Sequence, residues 1–198
     1  MTTTPSASQQ INAIRKTSLN ATARAERISA LAERSSYVEN VLCHALVASL
    51  SSEVWQRDAR ASLQVFNSEV DDSGFDLVLT LGPHARYIQL KQSHDEKTPT
   101  KCSVRLSFSA MPGACVVLMA HSVVDLRLSS FRFVGGAVSS DPMPLIDALS
   151  RSKAPGRRNA EGQRKIREHY RDVPIRMFRR ALSAAELLDR LFPSSNVV

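Results

Sequence analysis

The stretch from Phe75 to Lys91, Phe-Asp-Leu-Val-Leu-Thr-Leu-Gly-Pro-His-Ala-Arg-Tyr-Ile-Gln-Leu-Lys, constrains the fold more than any other part of the chain. Two apolar runs flank a Gly-Pro turn signal, the pattern of a β-hairpin. Asp76 opens the first strand, and Gln89 and Lys91 close the second. A turn centred between Pro83 and His84 puts Asp76 opposite or diagonal to Lys91 and Gln89, with side chains about 5 to 8 Å apart. Strand residues two apart share a face, so Gln89 and Lys91 are expected to point the same way.

That patch has the parts for metal-assisted phosphodiester hydrolysis. A hard divalent cation takes oxygen ligands, usually one or two carboxylates plus substrate phosphates and water. Asp76 offers a carboxylate, Gln89 a neutral amide oxygen and Leu90 a backbone carbonyl. Lys91 cannot bind a cation, but it can hold an attacking water or steady charge on a phosphate. The plainer reading is an Asp that caps a turn and a Gln and Lys that cover a solvated strand face.

Upstream, Ser35 to Leu50 has a helical stripe at Val38, Leu42, Ala45 and Leu46, with Ser35 or Ser36 as N-cap and Glu39 near the first turn. Ala61 to Phe66 alternates like a strand. The order is helix, strand, strand, strand, with Glu39 on the helix. It resembles the PD-(D/E)xK nuclease superfamily, the restriction-endonuclease-like fold, whose core runs α-β-β-β-α-β. The resemblance spans residues 35–121. It implies Glu39 as the helix acid, Asp76 as main metal ligand, Gln89 as second ligand and Lys91 as the lysine that orients water. The acid of the family's motif is Gln89 here, a QxK variant like that of Mrr-type restriction enzymes. An amide carries no charge, so Glu39 is expected to help hold Mg²⁺ or Mn²⁺.

The 198 residues carry a net charge of +7, concentrated in one segment. Arg151 to Arg180 contains eleven basic residues against Glu161, Glu168 and Asp172, and nine of the eleven are arginine. Arginine grips phosphate with a bidentate fork, so the block points to a nucleic-acid backbone, with Arg157, Arg158, Arg164, Lys165, Arg167 and Arg171 as the expected contacts. DNA is expected over RNA, and a homodimer would let such a nuclease cut two strands. A solvated segment that only aids solubility is the alternative.

Apolar residues make up 43% of the chain, enough for a core. The longest apolar run, Ala114 to Ala120, is strand length and far short of the roughly 20 residues of a membrane span. Cys43, Cys102 and Cys115 and the five scattered histidines show no zinc spacing, and the three cysteines suit packing in a reducing cytoplasm.

The expected architecture is α/β, a mixed central sheet flanked by helices. Residues 1–10 are a loose tail, 11–34 an N-terminal helical extension, 35–135 the nuclease-like core, and 136–198 a basic C-terminal extension ending in a helix. Residues 101–111 alternate like a strand, but the family template wants a helix there, and helix is the expectation. Others are a strand from Leu126 to Val134, a loop with a short helix from Asp141 to Ala154, a basic helix from Glu161 to Tyr170 and a strand from Ile175 to Phe178. Leu182 to Phe192 is a helix with a Ser183/Glu186 capping box. Two alternatives stand beside a nuclease: a catalytically weak or inactive member of the fold that binds nucleic acid, and a structural protein whose basic segment is incidental.

Overall fold

A computed structural model describes residues 21–67, 74–95, 97–154 and 162–193. The expected tail over 1–10 and the start of the N-terminal helical stretch, including Ile11 and Ile14, lie outside the described residues. Two helices open the described chain, α1 (Ala21–Glu33) and α2 (Ser35–Arg57). In α2 the side chains of Val38, Leu42, Leu46, Leu50 and Val54 form one buried stripe. No serine caps α2. Its N-cap is Arg34, whose N–H donates to Ala30 O at 2.9 Å, so the backbone of α1 supplies the partner.

Strands β1 (Leu63–Asn67), β2 (Leu77–Leu81) and β3 (His84–His94) follow, then β4 (Lys101–Arg105), a helical turn α3 (Leu106–Ser109), β5 (Ala114–His121) and β6 (Leu128–Gly135). The chain continues through β7 (Arg151–Lys153), β8 (Ile166–Pro174), a 3₁₀ turn (Ile175–Met177), β9 (Arg179–Ala181) and α4 (Ala184–Leu191). The main sheet is mixed, in the order β1-β2-β3-β5-β6-β9, with β3 and β5 parallel and every other pair antiparallel. A second, antiparallel sheet runs β4-β8-β7.

The two faces of the main sheet bury different partners. Leu77, Leu79, Leu81, Ile88, Val117 and Met119 pack with the stripe of α2 and with Leu187, Leu188 and Leu191 of α4. Val116, Leu118 and Val134 pack with Cys102, Val104 and Val173 of the second sheet, and with Phe108 of α3. The result is three layers: helices, a six-stranded sheet and a three-stranded sheet. Among the described residues no helix is long and apolar enough to cross a membrane.

Several expectations are corrected. The hairpin turn is the two residues Gly82-Pro83, because Leu81 pairs with His84, so the register centres one residue earlier than expected. Gly82 supplies the positive φ of +56° that a primed hairpin turn needs at its first central position, and the ring of Pro83 restricts the turn to type II′. Residues 101–105 are a strand, as their alternation indicated, with one helical turn after it. That pair of elements makes the crossover between parallel β3 and β5. The expected basic helix near 161–170 is a strand from Ile166, held between β4 and β7, where pairing outweighs helical composition. Residues 175–177 are a 3₁₀ turn and the strand comes later, as β9. The loop from Asp141 contains no helix and ends in β7. The C-terminal segment is part of the fold: β9 closes one edge of the main sheet and α4 covers its helical face.

Candidate functional site

Strand β2 begins at Leu77, but β3 runs on to His94, so beyond Ile88 strand β3 is paired with strand β5 alone. This leaves a notch beside β3. Asp76 stands at its corner. The Asp76 N–H donates to Ile88 O at 2.8 Å, and the Asp76 carboxylate accepts the Leu90 N–H at 2.5 Å. The N–H and C=O of one strand residue point to the same side, so the Leu90 carbonyl also faces the notch.

A cavity of about 590 Å³ fills the space between the notch and α2. Glu39, Asn40, Cys43 and His44 of α2 line one wall, and Asp76, Leu90, Lys91 and Gln92 the other, with Asn67 and Met119 between them. The Gln92 amide donates to Glu39 Oε1 at 3.4 Å. Its own Oε1 is buried without a hydrogen-bond partner among the described residues. Burial pushes the Cys43 thiol up, and the Asp76 charge pushes it further, so the thiol is a neutral part of the wall.

The expected residues therefore divide. Glu39, Asp76, Leu90 and Lys91 line one cavity, but Gln89 does not. Strand alternation turns Gln89 to the face of Val116, under the second sheet, where it is 8% exposed and its Oε1 has no partner among the described residues. Lys91 leaves β3 on that same face. Its charge partly offsets the burial that pushes the Cys102 thiol up to about 11. The amide that reaches the cavity is Gln92, on the face of Leu90. The signal for it was present: residues of one parity face α2, and the Leu77 to Leu81 pattern marks that parity. On α2, the wall is two adjacent i, i+4 pairs, Glu39 with Cys43 and Asn40 with His44.

Hard oxygen donors suit Mg²⁺ or Mn²⁺. By donor chemistry, the carboxylates of Asp76 and Glu39 and the Leu90 carbonyl suit such an ion, with the Gln92 side chain beside them. Among the described residues no three His, Cys, Asp or Glu side chains cluster to hold a metal, so an ion here would depend on neutral oxygens, water and phosphate as well.

The basic residues are also divided. Arg157 and Arg158 lie outside the described residues. Arg164 and Lys165 are exposed just before β8. Arg167 stacks on Tyr170, 3.3 Å from the ring centroid. Arg171 donates to the carbonyls of Asp147 at 3.1 Å and Glu168 at 2.7 Å, as an internal brace. Lys101 pairs with Asp172, and Arg151 with Glu168 at 2.8 Å. No family model, curated protein or solved structure matches the chain.

Proposed function

We propose that this chain is a metal-dependent, nuclease-like protein that hydrolyses phosphodiester bonds of nucleic acid, DNA in preference to RNA. The observation that carries this reading is the placement of Asp76, Glu39, Leu90 and Gln92 around one cavity, with Lys91 at the edge and the Gln92 amide donating to Glu39. A restriction-endonuclease-like core is supported by the order α2, β1, β2, β3, then a crossover to a strand parallel to β3.

Mg²⁺ or Mn²⁺ held there would polarise a phosphate oxygen and acidify a bound water. Asp76 and Glu39 would bring negative charge to such an ion, and the Leu90 carbonyl and the Gln92 side chain would offer neutral oxygens in place of Gln89. Lys91, whose side chain leaves β3 on the other face, would reach round the strand to stabilise charge on the phosphate.

A second reading, a binding module without catalysis, is favoured by the position of Gln89, which removes one motif ligand from the cavity. Incubation of the purified chain with single- and double-stranded DNA and RNA, with Mg²⁺ or Mn²⁺, separates the two. Cleavage that disappears in Asp76→Ala and Lys91→Ala supports hydrolysis at this cavity. Cleavage that persists in both excludes it, and metal-independent binding without any cleavage supports the binding module.

A further inference from the structure

The main sheet carries a row of cross-strand partners on the face away from α2. Lys91 pairs with Leu118, Leu118 with Arg132, and Arg132 with Arg180. Directly opposed residues share a face, so Lys91, Arg132 and Arg180 stand in one line. At about 4.8 Å per strand step, Arg132 is about 10 Å from Lys91 along the sheet.

Arg132 and Arg180 are like charges facing each other across β6 and β9, an arrangement that destabilises a sheet unless something neutralises it. Neither pairs with a carboxylate among the described residues. Both line a separate cavity of about 270 Å³, together with Ser93, His94, Asp95 and Ser130. Asp95 is the one acid on its wall among the described residues. Its backbone N–H donates to His121 O at 2.8 Å. The cavity thus offers two guanidinium groups and the hydroxyls of Ser93 and Ser130, a donor-rich set for a tetrahedral oxyanion.

We propose that Arg132 and Arg180 form a phosphate subsite that holds the backbone of a nucleic-acid strand beside the Asp76 cavity. Lys91 stands between the two, because its residue borders the Asp76 cavity while its side chain leaves β3 on the face of the row. The inference rests on the nuclease-like reading for its ligand, and it moves nucleic-acid contact away from Arg171, which is spent on carbonyls within the fold.

The test is fluorescence anisotropy with a labelled single-stranded oligonucleotide, without metal, across a salt series. Arg132→Gln with Arg180→Gln should weaken binding about tenfold at low salt and flatten the salt dependence by about 0.7 in log–log slope. Arg180→Gln alone, at an exposed position, should give a smaller loss in the same direction. Thermal melts with the charge pair relieved should show a melting temperature no lower than that of the parent chain, and inorganic phosphate should stabilise the parent chain alone. Unchanged oligonucleotide affinity and slope in the double variant overturn the subsite, even if the chain cleaves DNA. Phosphate stabilisation with arginine-independent oligonucleotide binding overturns the assignment to a strand. Arginine-dependent binding in a chain that cleaves nothing with either Mg²⁺ or Mn²⁺ upholds the subsite and defeats the hydrolytic reading instead.

Discussion

The Leu90 N–H donates to the Asp76 carboxylate at 2.5 Å, so a side chain completes the ladder where strand β2 has not yet begun. One residue thus has a structural task and a proposed chemical one, and substitution separates them. Asp76→Asn keeps an acceptor oxygen but not the charge. It should melt within about 1 °C of the parent chain and lose cleavage. Asp76→Ala also orphans the Leu90 N–H. A hydrogen bond to a charged acceptor contributes about 1.5–3 kcal/mol, which solvent exposure reduces here to about 1 kcal/mol. Urea denaturation should resolve the two variants. Equal stability would remove the ladder role, and full cleavage in Asp76→Asn would remove the chemical one.

Gln89 is the motif residue that the fold turns away from the cavity. Its buried, unpartnered oxygen is a cost, because a polar group out of water without a hydrogen bond destabilises by about 1–3 kcal/mol. Gln89→Met keeps the side-chain length and removes the polar atoms. It should hold or raise the denaturation midpoint and leave any cleavage rate within about twofold. A loss of cleavage in a stable Gln89→Met protein would restore Gln89 to the site.

Much of the fold was legible in the sequence, and the failures have physical causes. The stripe on α2 follows from hydrophobic period, the hairpin from two apolar runs about a Gly-Pro turn, and the strand at 114–121 from a short continuous apolar run. Strand β8 was not legible. Only Val173 in it is buried, so nothing local opposes a helix, and strand form is imposed by the neighbours β4 and β7. For the site, the residue types were legible but the choice of faces was not. Asp76 sits one step beyond the Leu77–Ile88 pair, where the chain leaves the sheet, and its carboxylate turns into the ladder plane. Ideal alternation therefore grouped Asp76 with Gln89, while the structure groups it with Leu90 and Gln92.

The buried thiols set an alkaline limit. Burial pushes Cys102 up to about 11 and Cys115 up to about 12, against an ordinary 9.0. The Lys91 and Arg86 charges oppose these shifts. A thiol whose folded pKa is raised adds full stability below its unfolded pKa, and that contribution fades as pH rises to the folded pKa. The window therefore runs from pH 9.0 to about 11 for Cys102 and to about 12 for Cys115. Cys102→Ala should show a shallower fall in melting temperature between pH 9 and 10.5 than the parent chain, although a lower value at pH 7 from the lost volume. Parallel curves would refute the linkage. In the folded protein at pH 8, iodoacetamide should label Cys43 before either of the others.

Helix α4 is fixed at both ends. At its start, Ser183 Oγ accepts the Glu186 N–H at 3.1 Å, and Glu186 Oε2 accepts the Leu182 N–H at 3.1 Å. The expected capping box is present, with the glutamate reaching one residue beyond the cap. At its end, the buried Arg86 donates from Nε to Leu191 O at 2.7 Å and from an Nη to Gly136 O at 3.2 Å. Between them Leu187, Leu188 and Leu191 seal the core face, so fraying at the start exposes apolar surface as well as backbone. Ser183→Ala should cost about 1 kcal/mol, a fall of about 2–4 °C for a chain of this size. Glu186→Gln keeps the acceptor and loses only its charge near the helix start, about 0.3 kcal/mol. If differential scanning calorimetry finds the two substitutions equal, the hydroxyl cap is not what anchors the helix, and the Arg86 clamp carries that task alone.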